Sequence, residues 1–209
     1  MIRSLDDAWR WYTAVQTLAG DMRKLAGKWD DPALADVLGR DNRLRHRTTP
    51  DLQYLAQTIL EELDHLAVLV FFSVFEATVR SLAEADVDRE MTSMRHPAIL
   101  RAVKDLKDSI QNGSFGKVTA AYQKMDNDLT AQVDQVRKFR NWVAHGRRDE
   151  PENDVKPGDA MDRLQRYLAR LAEIEATGAP PPLPASEPAT AVLPGPAPSP
   201  MVPDQPPDV

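Results

Sequence analysis

The chain has 209 residues, no cysteine and a formal net charge of -6. A chain of this length can bury one ordinary hydrophobic core without the help of disulfides. The absence of cysteine excludes disulfides, thiol nucleophiles and cysteine-based zinc sites, and it is typical of cytoplasmic proteins. The acidic charge argues against a protein that coats nucleic acid along its whole surface and leaves only local basic patches for that purpose.

The sequence also argues against a membrane protein. No apolar run approaches the roughly 20 residues needed to span a bilayer. The N-terminal residues, with Asp6 and Asp7 close behind Arg3, lack the layout of a signal peptide. We therefore expect a soluble, cytoplasmic protein with no membrane partner.

Residues 1–49 predict an N-terminal helical extension followed by a basic loop. Apolar residues spaced three and four apart predict a helix from about Leu5 to Trp29. Asp30 and Asp31 precede Pro32, which is typical of the start of a short helix, here through Leu38. The exposed loop that follows is either a solvated turn or a nucleic-acid contact, and it contains four arginines: Arg40, Arg43, Arg45 and Arg47.

Residues 50–176 predict an all-α fold, an antiparallel bundle of four principal helices. The first helix begins near Pro50, with Thr49 as its cap, and ends at about Leu82. Its segment from Leu66 to Phe75 is apolar nearly all round, which is typical of a helix enclosed by others. Glu76 follows directly, and because an unpaired carboxylate there would be costly, we expect it to have a cationic partner.

The remaining helices are predicted from apolar stripes and end signals, and no stretch shows sustained strand-like alternation. Gly146 is expected to stop the third principal helix. The predicted ranges are Ala98 to Ile110, a short helix from Lys117 to Lys124, a helix that begins around Asp126 to Asp128, and a final helix from about Asp159 to Ala176.

Residues 177–209 form a separate C-terminal region. The part from Pro180 to Val209 holds twelve of the seventeen prolines and few large apolar residues, so it predicts a disordered tail. The spacing from Pro181 to Pro184 could dock as a polyproline helix, but a plain linker is the simpler interpretation.

Several common site motifs are not supported, and no metal or cofactor is predicted. The segment from Gly113 to Lys117 has too short a glycine interval for a phosphate loop, and Val118 stands where a metal-binding hydroxyl would be. The four histidines never share a helical face with a second ligand, as a helical zinc site would require. No Gly-x-Ser-x-Gly segment occurs.

The segment VRKFRNWVAHGRR, Val136 to Arg148, places an arginine on an apolar stripe. Arg140 lies seven residues after Val133 and four after Val136. A buried guanidinium needs a partner such as Glu76, or its stripe faces a wet cleft that binds anions. The alternative is an arginine at the edge of the bundle, whose stem packs while its head reaches water.

His145 adds an imidazole that can exchange protons near neutral pH. On a regular helix the side chains of Arg140 and His145 would point roughly 140° apart. A helix that ends at Ala144 or His145, before Gly146, would allow the histidine to turn towards Arg140. Asn141 could orient the imidazole or a phosphate.

These residues resemble the HEPN superfamily, all-α domains that carry an Arg, a polar residue directly after it, and a His beyond four to six intervening residues. Arg140, Asn141 and His145 match this pattern. The segment VLVFFSVFEATVRSLA, Val68 to Ala83, is similar to the apolar first core helix of bacterial HEPN proteins. The resemblance covers about residues 50–176. Arg147 departs from it, because some HEPN toxins carry there a Tyr that an antitoxin modifies.

The resemblance implies a metal-independent endoribonuclease in which two subunits bring both motifs to one cleft. His145 would act as general base or acid, Arg140 would stabilise charge on the phosphate, and Asn141 would position one or the other. The RNA backbone would be held by Arg137, Lys138, Arg147 and Arg148. The resemblance also implies a toxin or antiphage-defence effector, silenced by an antitoxin or regulatory protein.

Two other interpretations stay open at the level of sequence. The first is a HEPN-like bundle without catalysis that binds RNA or a protein partner. The second is a structural interaction module that uses the N-terminal helix and the proline-rich tail. Binding of RNA without turnover would favour the first, and loss of partner binding on deletion of the tail would favour the second.

Overall fold

The computed structural model describes residues 2–29, 31–33, 47–120, 126–148 and 150–177. Within these ranges the chain forms six helices and no strand, which confirms the predicted all-α class. In chain order they are α1 (Leu5–Ala26), α2 (Thr49–Met91), α3 (Pro97–Asn112), α4 (Phe115–Ala120), α5 (Asn127–Ala144) and α6 (Pro157–Thr177).

Some of the predicted features lie outside the described residues. These are most of the short helix through Leu38, the arginine-rich loop apart from Arg47, the end of the short helix at Lys124, and the proline-rich tail. Predictions about them stay predictions.

α2 is the central helix, and its start shows which threonine caps it. The Thr48 hydroxyl accepts a hydrogen bond from the Asp51 backbone N–H, and the Asp51 carboxylate accepts one in return from the Thr48 backbone N–H at 3.1 Å. This reciprocal capping box satisfies two backbone donors that a helix start otherwise leaves unpaired. The cap is therefore Thr48, and the predicted cap, Thr49, is the first helical residue.

α2 also runs nine residues beyond its predicted end, to Met91 instead of Leu82. Its last turns are tied to two other helices by ion pairs, since Asp88 pairs with Lys107 of α3 and Arg89 pairs with Glu175 of α6. Because these contacts join residues far apart in the chain, the local apolar pattern does not reveal them. The extension places α3 beside the C-terminal end of α2.

The core forms where α2 is enclosed on several sides. Phe71, Phe72 and Phe75 are fully buried, and the Phe75 ring packs edge-on against Tyr167 of α6 with 5.5 Å between centroids. Each such ring stabilises the fold by about 1.5–3 kcal/mol relative to an exposed one. The same core includes residues from α1, α2, α5 and α6, but the Leu66 to Phe75 segment is enclosed only in part, because Leu66 is 47% exposed and Ser73 is also exposed.

α1 packs antiparallel on α2 and shares its core. The Tyr12 hydroxyl donates to Asp64 at 2.9 Å, and Arg23 donates to Gln57 at 3.1 Å, so the partner number on α2 falls as the α1 number rises. Burial and the Asp64 hydrogen bond raise the pKa of Tyr12 to about 12. α1 ends at Ala26, three residues before the predicted end.

α2 passes a length and composition test for a membrane span. It contains an 18-residue window with a mean hydropathy of 1.8, of which 39% is buried inside the protein. The sequence-based statement that no apolar run approaches that length was therefore too strict. The central helix of a soluble bundle passes the same test, and the cytoplasmic location stays a prediction.

Candidate anion-binding cleft

α5 carries the motif and is held against the core by one apolar row. The Asp126 side chain caps its start by accepting from the Leu129 backbone N–H at 2.9 Å. The buried residues that follow recur at helical spacing and pack into the shared core: Leu129, Val133, Val136, Phe139 and Val143. Arg140 is next to this row, at the boundary between the core and the surface.

Gly146 stops α5 in the predicted way. The Gly146 N–H donates to the Val143 carbonyl at 3.2 Å, and the Arg147 N–H donates to the Trp142 carbonyl at 3.1 Å. These two bonds form a Schellman motif, which requires a left-handed residue after the helix cap. Gly146 supplies that conformation, with φ of 84°.

The side chain of Arg140 is half-buried, with an exposed fraction of 30%, and its guanidinium has few partners for such a position. It donates to the Asn141 side-chain oxygen at 3.0 Å, and its guanidinium carbon lies 5.6 Å from the centre of the Phe72 ring. Its Nε is buried and finds no hydrogen-bond partner among the described residues. The guanidinium therefore keeps donor capacity that the described residues do not use.

The expected acidic partner of Arg140 is close by but is mainly engaged elsewhere. Glu76 Oε2 lies 3.7 Å from Arg140 Nη2, which is within ion-pair distance and too long for a charge-assisted hydrogen bond. Glu76 Oε1 instead accepts from Arg80, at 2.6 Å from Nη2 and 3.1 Å from Nε. Glu76 is thus paired in the structure, and Arg80 is its nearer partner.

Arg80 is itself held from several sides. It donates to the Gly113 carbonyl at 3.0 Å and also to the Ile110 carbonyl, near the end of α3. These carbonyls have no helical partner, and the C-terminal end of a helix attracts a cation. The Arg80 guanidinium also lies over the Phe115 ring of α4, 5.6 Å from its centre. Arg80 therefore joins α2 to the turn between α3 and α4.

These side chains line an open cleft of about 270 Å³ between α2, α5 and the α3–α4 turn. Its charged lining residues are three arginines and one glutamate, a formal charge of +2: Arg80, Arg137, Arg140 and Glu76. Asn141 adds an amide, and Gly113, Ser114 and Gly116 bring the backbone close. A cleft of this composition can accept an anion of the size of a phosphodiester.

The structure brings Arg140 and Asn141 together in the cleft, but it does not bring His145 there. The His145 backbone N–H still donates to the Asn141 carbonyl at 2.9 Å, and the chain changes direction only after it, at Gly146. His145 is the C-cap of α5, with φ of -89° and ψ of 10°, and this conformation does not bring its side chain into the cleft. It is exposed, and it is not among the described residues that line the cleft.

The four cations expected to hold RNA have different surroundings. Arg137 lines the cleft and pairs with Asp134 at 2.7 Å, while Lys138 pairs with Glu152 at 3.1 Å. Arg147 forms a two-pronged pair with Glu62. Arg148 is exposed and makes no ion pair with any described residue. Of these four cations, only Arg137 lines the cleft together with Arg140.

The sequence reasoning missed Arg80, although a local signal was present. Arg80 lies four residues after Glu76 on one helix, the spacing at which opposite charges meet. The contribution of the α3–α4 turn had no such signal, because Gly113 and Phe115 approach α2 only in the folded chain. Among the described residues no cluster of three potential metal ligands occurs.

No protein-family model, curated protein or solved structure matches this chain. The HEPN resemblance consequently stays a prediction that rests on the Arg140, Asn141 and His145 pattern and on the apolar central helix.

Proposed function

We propose that the protein is a metal-independent endoribonuclease in which the cleft at Arg140 binds the scissile phosphate and His145 of a second subunit supplies acid–base catalysis. The observation that supports it best is the state of Arg140. This arginine lines an open cleft, is only weakly paired with Glu76, and has unused donors among the described residues. An oxygen-rich anion would satisfy them.

The proposed reaction is an internal transfer of the phosphoryl group. The ribose 2′-oxygen forms a bond to phosphorus, the bond from phosphorus to the 5′-oxygen breaks, and a 2′,3′-cyclic phosphate and a 5′-hydroxyl result. An imidazole, which titrates near neutral pH, takes the 2′-hydroxyl proton or gives a proton to the leaving 5′-oxygen, and water exchanges the proton at the other of these two oxygens. Arg140 stabilises the added charge on the phosphate, and Asn141 holds the Arg140 guanidinium in place.

The proposed second subunit is a copy of this chain, docked on an apolar face of the α1–α2 pair. Each exposed leucine of the pair stands one residue before a buried alanine: Leu18, Leu25, Leu55 and Leu66 precede Ala19, Ala26, Ala56 and Ala67. One residue turns a right-handed helix by about 100°, so in an antiparallel pair these leucines emerge on one shared side. Ile59 lies on the same row of α2 as Leu55 and Leu66.

The size of this face supports a dimer. α1 has 22 residues, so two helices side by side present a face of about 33 Å by 20 Å. Its projected area of about 650 Å² approaches the 800 Å² that one partner buries in a standard interface. Glu62 lies on this face and binds Arg147, so the face reaches the end of α5 that carries His145.

A second candidate function is RNA binding without turnover. One observation favours it, namely that His145 does not line the cleft in a single chain. In that case Arg140 and Arg137 would bind the RNA backbone and no bond would break.

The role of a toxin or antiphage-defence effector, the cytoplasmic location and an antitoxin or regulatory partner are part of the ribonuclease proposal through the HEPN resemblance alone. Arg147, in place of the Tyr of some HEPN toxins, is paired with Glu62. Silencing by modification at that position is therefore not proposed.

The ribonuclease proposal is tested by cleavage of a single-stranded RNA panel in the presence of a metal chelator. We expect Arg140→Ala and His145→Ala each to abolish cleavage without loss of helix content, while Arg170→Ala, an exposed arginine of α6, cuts normally. Undiminished cleavage by His145→Ala would reject the mechanism. Binding of RNA by the wild-type protein without any product would select the second candidate.

A further inference from the structure

Glu76 lies between two arginines that compete for its carboxylate. Arg80 is four residues along the same helix, and Arg140 approaches from α5. The side chains of Glu76 and Arg80 are 21% and 12% exposed, so water screens their pair less than a surface pair. The two arginines differ in the distance to the acid: 2.6 Å for Arg80 and 3.7 Å for Arg140.

Arg80 holds its position through acceptors other than Glu76. The carbonyls of Ile110 and Gly113 and the Phe115 ring all contact its guanidinium. A planar fork with five donors can bind these acceptors and the carboxylate at once, which a lysine ammonium cannot reproduce. Arg80 therefore keeps Glu76 Oε1 on the far side of the carboxylate from Arg140.

This arrangement determines how much of Arg140 is available to an incoming anion. If Glu76 were free of Arg80, Arg140 would be the cation that already lies within ion-pair distance of it, since Arg137 pairs with Asp134, and Glu76 and Arg140 would close to hydrogen-bond distance. A guanidinium that binds a carboxylate with both prongs has fewer donors for phosphate. We propose that Arg80 is a positioning residue for the cleft: by holding Glu76, it leaves Arg140 available to bind a phosphate group.

The inference rests on the anion cleft of the proposed function, but it does not require that RNA be cut. It can be tested with inorganic phosphate and the full-length protein. Phosphate is titrated while the side-chain Nε–Hε NMR signal of Arg140 is followed, and that signal is identified by its absence from Arg140→Lys. Cleavage of RNA is measured separately on the same variants.

We expect Glu76→Gln to bind phosphate about fivefold to tenfold more tightly, because it removes the competing charge and keeps the shape of the side chain. We expect Arg80→Lys to bind it more weakly by a similar factor, because Glu76 then turns to Arg140. The double variant should bind as tightly as Glu76→Gln alone within about twofold, since the effect of Arg80 passes through Glu76. A variant that folds poorly would not bind phosphate more tightly, so a gain of affinity in Glu76→Gln cannot be explained by a folding defect.

Asp162→Asn is the matched control, because it also removes one acid from an i, i+4 pair with an arginine, and neither Asp162 nor its partner Arg166 lines the cleft. A gain of affinity in this control equal to that in Glu76→Gln would show general electrostatics and overturn the inference. The inference would also be overturned if Arg80→Lys lowered the phosphate affinity equally in the presence and absence of Glu76→Gln. The same holds if phosphate caused no shift of the Arg140 NMR signal. If the phosphate affinities follow the expected order but no RNA is cleaved, the inference about Arg80 is supported and the ribonuclease proposal is rejected. If RNA is cleaved and cleavage needs Arg140, but the affinities do not follow that order, the ribonuclease proposal is supported and the inference is rejected.

Discussion

The guanidinium of Arg147 binds the carboxylate of Glu62 with both of its prongs, across 85 residues of sequence. The pair attaches the chain just after His145 to the central helix. Arg147 has φ of 54°, a left-handed conformation that costs a non-glycine residue about 1–2 kcal/mol. The ion pair thus holds a segment that its own backbone does not favour, and it determines where the end of α5 lies.

This pair predicts a dependence of stability on pH. The hydrogen bond from Arg147 lowers the pKa of Glu62 below its ordinary value of 4.5. A lowered pKa means that the charged acid stabilises the folded state above pH 4.5 and loses this effect as pH falls through the lowered value. Glu62→Gln should therefore be less stable than wild type at pH 7, by less than about 1 kcal/mol because the pair is half-exposed, and the difference should vanish at low pH.

Urea unfolding at several pH values measures this difference directly. Glu61→Gln is the control, because Glu61 is the exposed neighbour and does not bind Arg147. A difference between Glu62→Gln and wild type that persists unchanged at pH 3 would show that the ion pair is not its source.

Catalysis across subunits predicts complementation between two inactive variants. Arg140→Ala retains His145, and His145→Ala retains Arg140. When the two are mixed and allowed to exchange subunits, half of the dimers are mixed, and each mixed dimer contains one complete site of its two. We expect about a quarter of the wild-type RNA cleavage rate to return.

The measurement compares each variant alone with the equimolar mixture after subunit exchange. Exchange is followed with a size tag on one variant, so that mixed dimers are counted directly. If mixed dimers form and the mixture stays inactive, Arg140 and His145 must act within one chain, and the cross-subunit mechanism is wrong.

Local patterns were sufficient to predict the all-α class and the places of most helices, because the helices are amphipathic and have strong end signals; they did not show that α1 shares the core of α2. Gly146 stops α5 and Asp126 caps it, as the sequence indicated. The end of α2 was missed because residues beyond Leu82 are held by charges on α3 and α6, which no local pattern shows.

The candidate site was predictable only in part, because some of its contacts join residues that are far apart in the sequence. Arg140 on the apolar stripe pointed to the cleft and to Glu76. Helical geometry places Arg140 and His145 roughly 140° apart, and a helix end at Ala144 or His145 was expected to turn the histidine towards Arg140. α5 does end at Ala144, but the His145 backbone N–H still donates to the Asn141 carbonyl, and His145 does not line the cleft. The contact between Arg147 and Glu62 was beyond any spacing argument.

The apolar face of the α1–α2 pair predicts a dimer that one charge can disrupt. Ile59 is 49% exposed and stands between Leu55 and Leu66 on the face. The acid on this face, Glu62, is already bound by Arg147, so burying a further arginine there would cost several kcal/mol, and Ile59→Arg should be monomeric at micromolar concentration. Tyr54→Arg is the control, because Tyr54 is 73% exposed and lies about 100° around α2 from that face.

Light scattering coupled to size exclusion gives the mass of each variant. We expect a dimer for wild type and Tyr54→Arg, and a monomer with unchanged helix content for Ile59→Arg. A monomeric wild-type protein would reject the proposed dimer, and a dimeric Ile59→Arg would place the interface elsewhere.

Two of the glycines with free space around them, Gly146 and Gly20, should respond in opposite directions to alanine. A Cβ on Gly146 or on Gly20 would meet no atom within 4 Å, so neither substitution causes a clash. Gly146 has φ of 84°, a conformation that an L-residue rarely adopts, and Gly146→Ala should destabilise the protein by about 1–2 kcal/mol. Gly20 lies inside α1, where alanine has the better helix propensity, so Gly20→Ala should stabilise by about 0.5–1 kcal/mol. Thermal and urea unfolding of both variants test the Schellman end of α5, and an equal gain of stability from the two would show that α5 does not end in a left-handed residue at Gly146.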